Sequence, residues 1–215
     1  MKLLLFYTYE FLASFIPFLS VFLIFAHTRK KNGQKTELLH TLLLFLFAAY
    51  VICVYDVTGS GTLWDGLTYQ FQIRTSYVNL IPFSTGIHTV GYILNIILFL
   101  PFGFLVPMIW KKMRASYRTV IAGFSFSLLI ELSQLLNNRR TDIDDLIMNT
   151  LGALIGFLIY KIFKKLIPTK LHNKLNDSAS PVFECPLYLL ILFTGRFFFF
   201  YEMGFVKLFF RFAGN

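Results

Sequence analysis

ELSQLLNNRRTDIDDLIMNTLG, residues 131–152, joins the end of one apolar run to the beginning of the next. It places a glutamate and a glutamine inside the first run, then two arginines and three aspartates, then an asparagine inside the second run. Because charged and polar groups are costly in lipid, their presence inside apolar runs is by default functional, and each needs a partner. The stretch therefore predicts two membrane helices whose polar ends meet.

The composition of the whole chain also indicates a membrane protein. Of its 215 residues, 56% are hydrophobic and 14% are charged, whereas soluble domains have about 25% charged residues. The 27 Phe and 11 Tyr suit lipid-facing helices and interfacial aromatic belts. The 20 Lys and Arg exceed the 11 Asp and Glu, but they fall in short clusters between apolar runs, which argues against nucleic acid as a partner. The two cysteines indicate neither a disulfide framework nor a zinc site.

Six apolar runs are long enough to span a bilayer, which takes about 17 to 25 residues per helix. We predict an all-α fold, a polytopic membrane helical bundle of about six transmembrane helices. The predicted spans are residues 3–26, 39–55, 92–110, 119–136, 146–163 and 186–206. They divide the chain into an N-terminal two-span region with an exterior segment, a core of three spans, and a basic loop followed by a C-terminal span and an interfacial tail. These regions are residues 1–76, 77–163 and 164–215.

The distribution of Lys and Arg predicts the orientation, because short cytoplasmic segments are enriched in these residues. The segments 27–38, 111–118 and 161–181 contain four, four and five of them. We therefore expect both termini to lie outside, and residues 131–152 to lie at the outer surface. The exterior segment 56–91 has two interpretations. Its aromatic residues suit a chain lying along the lipid headgroups, and the alternative is a solvated loop.

Polar residues inside the predicted spans recur at spacings of three and four, so they share helical faces. Those of the third, fourth and fifth spans lie at the outer depth, and we predict that they converge on one outward-opening pocket. The candidate pocket residues are Asn95, Glu131, Gln134, Arg139, Asp142, Asp145 and Asn149. The nearest cationic partner for Glu131 along the chain is Arg139, just beyond the end of the same span.

The three aspartates of the opening stretch have two interpretations. Asp142 is a good N-cap, and Asp144 and Asp145 would lie in the first helical turn, where the helix dipole favours negative charge. Three neighbouring carboxylates repel one another, however, which favours a nearby cation, either Arg139 or Arg140 or a bound metal ion. Calcium and magnesium take such oxygen ligands, but the spacing matches no metal-binding pattern, so we predict no metal and no cofactor.

Two pairs of residues predict contacts within the bundle. Gly152 and Gly156 form a small-xxx-small pair, which lets another helix approach closely. Glu10 and Arg196 are charges inside the first and sixth spans, and an ion pair between them would satisfy both. The alternative is that the last span shifts its ends and Arg196 extends to the interface.

Four sequence blocks resemble the VanZ-like family of bacterial membrane proteins. In order they are VNLIPF at 78–83, NIILFLPFGF at 95–104, ELSQ at 131–134 and RRTDIDDLIMNTLG at 139–152. They cover roughly residues 77–163, and Arg139 matches the arginine of the family pattern, whereas Arg140 is additional. The resemblance implies a multi-pass protein of the bacterial plasma membrane. The family's namesake is associated with resistance to teicoplanin, a lipid-tailed glycopeptide antibiotic. The long exterior segment and the Phe-rich sixth span depart from the pattern.

These observations lead to three functional hypotheses. The first is a non-enzymatic protein whose partner is a membrane lipid or lipid-linked cell-envelope ligand, bound at the outer leaflet, with an effect on susceptibility to teicoplanin-type antibiotics. The second is an enzyme acting on a lipid-linked envelope substrate, with Glu131 or Asp145 as acid or base. The third is a proton-linked transporter, which ranks last because the ionisable groups cluster on one side and no inverted repeat is visible.

Overall fold

The computed structural model describes residues 2–33, 37–84, 86, 88–168 and 183–201, and it is all-helical apart from one two-residue strand pair. Six long helices and one short helix occur in these residues. They are α1 (Lys2–Lys31), α2 (Leu38–Thr58), α3 (Leu63–Thr68), α4 (Thr89–Ile109), α5 (Ser116–Gln134), α6 (Ile143–Leu166) and α7 (Glu184–Phe199). Two 3₁₀ turns, Thr75–Tyr77 and Lys111–Met113, and two short strands, β1 (Val78–Asn79) and β2 (Thr141–Asp142), complete the fold.

Among the described residues, four segments are long and apolar enough to cross a membrane. They are Leu5–Lys31, Leu38–Thr68, Thr89–Ile109 and Ile143–Leu166. The remaining long helices are the 19-residue α5, which is less apolar, and the 16-residue α7, and both pack into the same bundle. The predicted all-α membrane bundle is therefore confirmed, with about six helices forming it.

The sixth helix is shorter than the span predicted at 186–206. α7 ends at Phe199 because Phe200 adopts an extended conformation, with φ −90° and ψ 110°. Arg196 consequently lies in the last turn of α7 rather than near the middle of a span. Residues 202–206 and the predicted interfacial tail that follows them lie outside the described residues, as does most of the predicted basic loop, at 169–182.

Close packing of α4 against α6 forms the centre of the bundle, and glycines make it possible. A Cβ added to Gly152 would overlap the carbonyl oxygen of Ile96, and one added to Gly156 would overlap that of Leu100. On the facing helix, a Cβ on Gly103 would overlap the carbonyl oxygen of Ala153. The predicted small-xxx-small pair on α6 is thus a helix-packing contact.

A buried aromatic cluster fills the space between α2, α4 and α5. The rings of Phe102 and Phe126 stack with centroids 5.3 Å apart, and Phe47 packs against both Phe102 and Trp110. All four side chains are at most 1% exposed. Aromatic pairs of this kind add about 0.5 to 1.5 kcal/mol beyond their area burial, so this cluster fixes the relative positions of the three helices.

Two ion pairs link α1 to α7, one near each end of these helices. Glu10 on α1 pairs with Arg196 on α7, and both side chains are buried, which confirms the predicted pair. Arg196 also donates from Nε to the carbonyl oxygen of Ser60 at 3.4 Å. At the opposite end of the same two helices, Arg29 pairs with the fully buried Glu184 at 2.7 Å. Each charge therefore has a partner on a neighbouring helix.

The two ends of the bundle differ in charge. At one end, basic residues occupy the last turns of α1 and α6 and the 3₁₀ turn before α5, and we call this the basic end. These residues are Arg29, Lys30, Lys31, Lys111, Lys112, Lys164 and Lys165. At the other end, α2 and α5 finish and α4 and α6 begin. We call it the site end, because the predicted pocket residues of α4, α5 and α6 lie there.

The exterior segment predicted at 56–91 is largely ordered around α3. Thr62 and Asp65 form a reciprocal capping box at the start of this helix. Trp64 stacks on Tyr201 with ring centroids 4.5 Å apart, and its Nε1 donates to the carbonyl oxygen of Phe198 at 3.1 Å. α3 is thereby attached to the end of α7. Whether this segment lies along headgroups, as its aromatic content predicts, stays a prediction.

Candidate functional site

The strand pair ties the segment before α4 to the segment before α6. β1 and β2 run parallel, with Val78 beside Thr141 and Asn79 beside Asp142. The hydroxyl of Thr141 also donates to the backbone carbonyl of Glu131 at 3.2 Å. The VNLIPF block at 78–83 is therefore held against the beginning of α6 and the end of α5. This contact was absent from the sequence prediction, since two-residue strands carry no periodic signal.

Asp142 caps α6 and meets a cation as well. Its Oδ1 accepts from the backbone N–H of Asp144 at 3.1 Å and from Nδ2 of Asn79 at 3.0 Å. Its Oδ2 lies 3.4 Å from Nε of Arg140. Both sequence interpretations of the aspartates thus apply to this one residue. It supports the site from beside the cavity described below and does not line it.

Asp144 anchors the exterior segment. It is 2% exposed, its Oδ1 accepts from the backbone N–H of Phe83 at 2.9 Å, and its Oδ2 accepts from the hydroxyl of Tyr92 at 2.7 Å. Phe83 has a φ of 58°, a left-handed conformation that is uncommon for a bulky residue and needs support from its surroundings. Asp144 supplies that support, so its carboxylate is used structurally.

Asp145 is the aspartate that faces the cavity. Its Oδ1 accepts from Nδ2 of Asn95 on α4 at 2.6 Å, a bond between two predicted pocket residues. The side chain is partly exposed and lines the cavity. The three carboxylates of the DIDD motif, residues 142–145, therefore have three different roles, which are capping, anchoring and lining.

A cavity of about 600 Å³ opens at the site end, between α2, α4, α5, α6 and the two arginines that precede β2. Of the seven predicted pocket residues, the structure brings six together around it, and Asp142 is the one that lies off the wall. The cavity is lined by Val57, Thr58, Gly91, Leu94, Asn95, Ile97, Leu98, Glu131, Gln134, Arg139, Arg140, Asp145 and Asn149.

Glu131 lies deep in this cavity and is 4% exposed. Its Oε2 accepts from the backbone N–H of Asp142 at 3.1 Å. The partner expected from the sequence, Arg139, instead donates from its guanidinium to the carbonyl oxygen of Thr58 at 2.8 Å. The expected ion pair is thus wrong, because the guanidinium of Arg139 turns toward the end of α2. Within the described ranges, Glu131 has no cationic partner within 4.0 Å.

Two amide side chains of the cavity wall are only half satisfied. Gln134 donates from Nε2 to the carbonyl oxygen of Thr58 at 2.8 Å, and Asn149 donates from Nδ2 to Oγ of Ser127 at 2.9 Å. Their oxygens, Oε1 and Oδ1, are buried and have no partner among the residues that the structure describes. Since buried polar atoms are nearly always hydrogen-bonded, these oxygens are acceptors in need of a donor.

One wall of the cavity is apolar and reaches the outer surface of the bundle. Val57 on α2 and Leu94 and Ile97 on α4 line it, although they are 67%, 58% and 53% exposed. Exposed apolar side chains on a membrane helix face lipid. The cavity therefore combines a polar interior with an exposed apolar edge.

Sequence reasoning missed the apolar wall and two polar members of the site. Arg140 and Thr58 line the cavity, yet Arg140 counted as an extra arginine and nothing near Thr58 distinguished it. For α4 a signal was present, because Gly91 and Leu98 lie four before and three after Asn95 and must share its face. Contributions from α2 follow only from tertiary packing.

The arrangement offers hydrogen-bond acceptors rather than metal ligands. Two carboxylates of different burial and two unsatisfied amide oxygens line the interior, with two arginines beside them. In the described residues no three His, Cys, Asp or Glu side chains are grouped so that they would hold a metal ion. The site thus suits a ligand with hydrogen-bond donors or positive charge.

Comparison with known proteins places these features in one family. No curated protein and no solved structure matches the chain. A family model described as VanZ/LLP1 matches residues 42–164, which is more than half of the chain. The matched region includes all four sequence blocks and every residue that lines the cavity. The chain therefore belongs to the VanZ/LLP1 family, as the resemblance predicted.

Proposed function

We propose that this VanZ/LLP1 family protein binds an amphiphile, either a membrane lipid or a lipid-linked cell-envelope ligand, at the outer leaflet of the bacterial plasma membrane. By doing so it influences susceptibility to teicoplanin-type glycopeptide antibiotics. The observation that carries the proposal is a cavity that has both a polar interior and an exposed apolar edge. A molecule with a polar head and an apolar chain matches both surfaces at once.

The proposed location follows from charge. Cytoplasmic segments of membrane proteins retain Lys and Arg, and the basic end of the bundle carries most of the basic clusters in the described residues. If that end is cytoplasmic, the site end faces outward and the cavity lies at the level of the outer headgroups. Both termini then lie outside.

The apolar edge orients the ligand more than it increases affinity. A lipid chain that moves from the bilayer to Leu94 and Ile97 exchanges one apolar environment for another, so the hydrophobic effect contributes little. Selectivity must then come from the polar interior. A phosphate or carboxylate on the ligand would be recognised by the guanidinium groups of Arg139 and Arg140, whose planar donors suit these anions.

Antibiotic susceptibility tests the proposal. In a bacterial host that produces the protein, Glu131→Gln and Asp145→Asn should each abolish protection against teicoplanin, measured as minimum inhibitory concentration. Immunoblotting should show unchanged membrane levels. Asp56→Asn is the matched control, because Asp56 is exposed at the same end of the bundle and does not line the cavity. Full protection by both cavity variants would contradict the proposal.

A second candidate function is catalysis on a lipid-linked envelope substrate. It is favoured by the environments of the two cavity carboxylates, since Glu131 is 4% exposed and Asp145 is partly exposed. Carboxylates in unlike environments can take separate acid and base roles. Incubation of the purified protein with lipid-linked precursors, with and without magnesium, tests this alternative. A product that disappears in both Glu131→Gln and Asp145→Asn would support catalysis over simple binding.

A further inference from the structure

We propose that the ligand carries a primary ammonium group, which is bound in the interior of the cavity by Glu131, Gln134, Asp145 and Asn149. This inference rests on the proposed function and names the chemical class of the amphiphile. It assigns the four side chains one shared task, which is to offer acceptors to the three N–H donors of the ligand. We call these four residues the acceptor set.

Each member of the acceptor set has one oxygen that receives no hydrogen bond from the described part of the protein. The carboxylates of Glu131 and Asp145 each use one oxygen, for Asp142 and Asn95 respectively. The amides use only their nitrogens, and their oxygens are buried without a partner. Four acceptors on two neighbouring helices, α5 and α6, are therefore available, and leaving buried acceptors unsatisfied is unfavourable.

The orientation of the Gln134 amide group is fixed by its hydrogen bond to Thr58. The carbonyl oxygen of Thr58, 2.8 Å away, can only accept, so the amide nitrogen of Gln134 must face it. The amide oxygen is then directed elsewhere and cannot be satisfied by rotating the group. At 7% exposure, Gln134 is also shielded from solvent. A donor supplied by the ligand would satisfy this oxygen.

A cation bound between the two carboxyl groups would stabilise their ionised forms, and the nearby arginines do not supply that cation. Arg139 donates to the carbonyl oxygen of Thr58, and Arg140 lies beside Asp142. Neither guanidinium lies within 4.0 Å of Glu131 or Asp145 in the residues described. The carboxyl groups of the interior are thus open to a ligand.

An ammonium group fits this set better than a metal ion does. The described residues contain no group of acidic or histidine ligands large enough to hold a metal, and an amide N–H of Asn95 already points at the carboxylate of Asp145. A primary ammonium has three N–H donors on a compact charge. It can therefore pair with both a carboxylate and an amide oxygen.

The test measures binding of matched fluorescent probes to the full chain in a non-ionic detergent. The probes are a long-chain amine with an NBD label on its tail, its N-acetyl derivative and its N-trimethyl derivative. The amine should bind with a Kd at least tenfold lower than either derivative, because the N-acetyl form lacks the charge and the N-trimethyl form lacks the N–H donors. Glu131→Gln and Asp145→Asn should each weaken amine binding about tenfold and leave N-acetyl binding unchanged.

Controls separate failure of this inference from failure of the proposed function. Asp56→Asn should bind all three probes like the unaltered chain, and Leu94→Trp, which fills the apolar edge, should weaken all three. Equal binding of the amine and the N-acetyl form, still sensitive to Leu94→Trp, would overturn the ammonium site while supporting an amphiphile cavity. Equal binding of the amine and the N-trimethyl form would overturn the role of the amide oxygens. No saturable binding of any probe would contradict both proposals.

Discussion

Replacing Asp144 and Asp145 one at a time by asparagine should have opposite consequences, although the two residues are neighbours on α6. Asp144 is buried and accepts two hydrogen bonds, from the backbone of Phe83 and from Tyr92. Asp145 accepts one, from Asn95, and lines the cavity. We expect Asp144→Asn to reduce stability and Asp145→Asn to reduce function.

The magnitude follows from what each amide can still accept. Asparagine at 144 keeps one acceptor oxygen, so it cannot accept both bonds. Net hydrogen bonds to charged groups contribute about 1.5 to 3 kcal/mol each. Because the backbone N–H of Phe83 can only donate, the amide oxygen keeps that bond, and the bond from the hydroxyl of Tyr92 is the one that is lost. We expect Asp144→Asn to lower the free energy of unfolding by about 2 to 3 kcal/mol.

Asp145→Asn should change stability by less than about 1 kcal/mol, because the amide oxygen can still accept from Asn95. The assay is reversible unfolding in mixed detergent micelles, followed by tryptophan fluorescence, with teicoplanin protection measured in cells for the same variants. The refuting result would be equal destabilisation by the two variants, or loss of protection in Asp144→Asn without any loss of stability. Either would mean that the aspartates do not divide their roles as the hydrogen bonds indicate.

Three other perturbations probe the bundle. Glu10→Gln should lower the free energy of unfolding by about 3 to 5 kcal/mol, since it leaves the buried Arg196 without its charge partner; a cost below 1 kcal/mol in the same micelle assay would argue against the pair. Gly156→Leu should prevent close approach of α4 and α6 and cost at least about 1 to 3 kcal/mol, whereas unchanged unfolding would contradict the packing. In a variant without Cys53 and Cys185, a cysteine at Arg140 should react with an impermeant thiol reagent from outside and one at Lys112 only after permeabilisation; the reverse pattern would invert the proposed orientation.

The helices and the shared faces of their polar residues were predictable because both depend on local geometry. Spans follow from apolar run length, and spacings of three and four place side chains on one helical face wherever the helix packs. Glu131 and Gln134 on α5, and Asp145 and Asn149 on α6, line one cavity. The chain order then brings the end of α5 beside the beginning of α6.

Partners from distant parts of the chain were not predictable. The neighbouring aspartates point in different directions around α6, and each finds a different remote group: Asn79 for Asp142, Phe83 and Tyr92 for Asp144, and Asn95 for Asp145. From the sequence alone, the three aspartates could either cap a helix or bind a cation. Only the tertiary fold shows that, of these three aspartates, Asp145 is the one that lines the cavity.

The hydrogen bonds of the DIDD motif connect two of the family's sequence blocks, VNLIPF at 78–83 and RRTDIDDLIMNTLG at 139–152. Only the second of these two blocks contributes residues to the cavity wall. Asn79 and Phe83 bond to Asp142 and Asp144, so the first block acts as the partner that the second requires. This contact fixes the start of α6 against the chain that enters α4, and the glycine packing of α4 and α6 holds the two helices together deeper in the bundle. With both helices held in this way, Asn95 and Asp145 are placed opposite each other at the cavity wall. The structural aspartates therefore serve the site indirectly, by setting the position of the one aspartate that a ligand can reach.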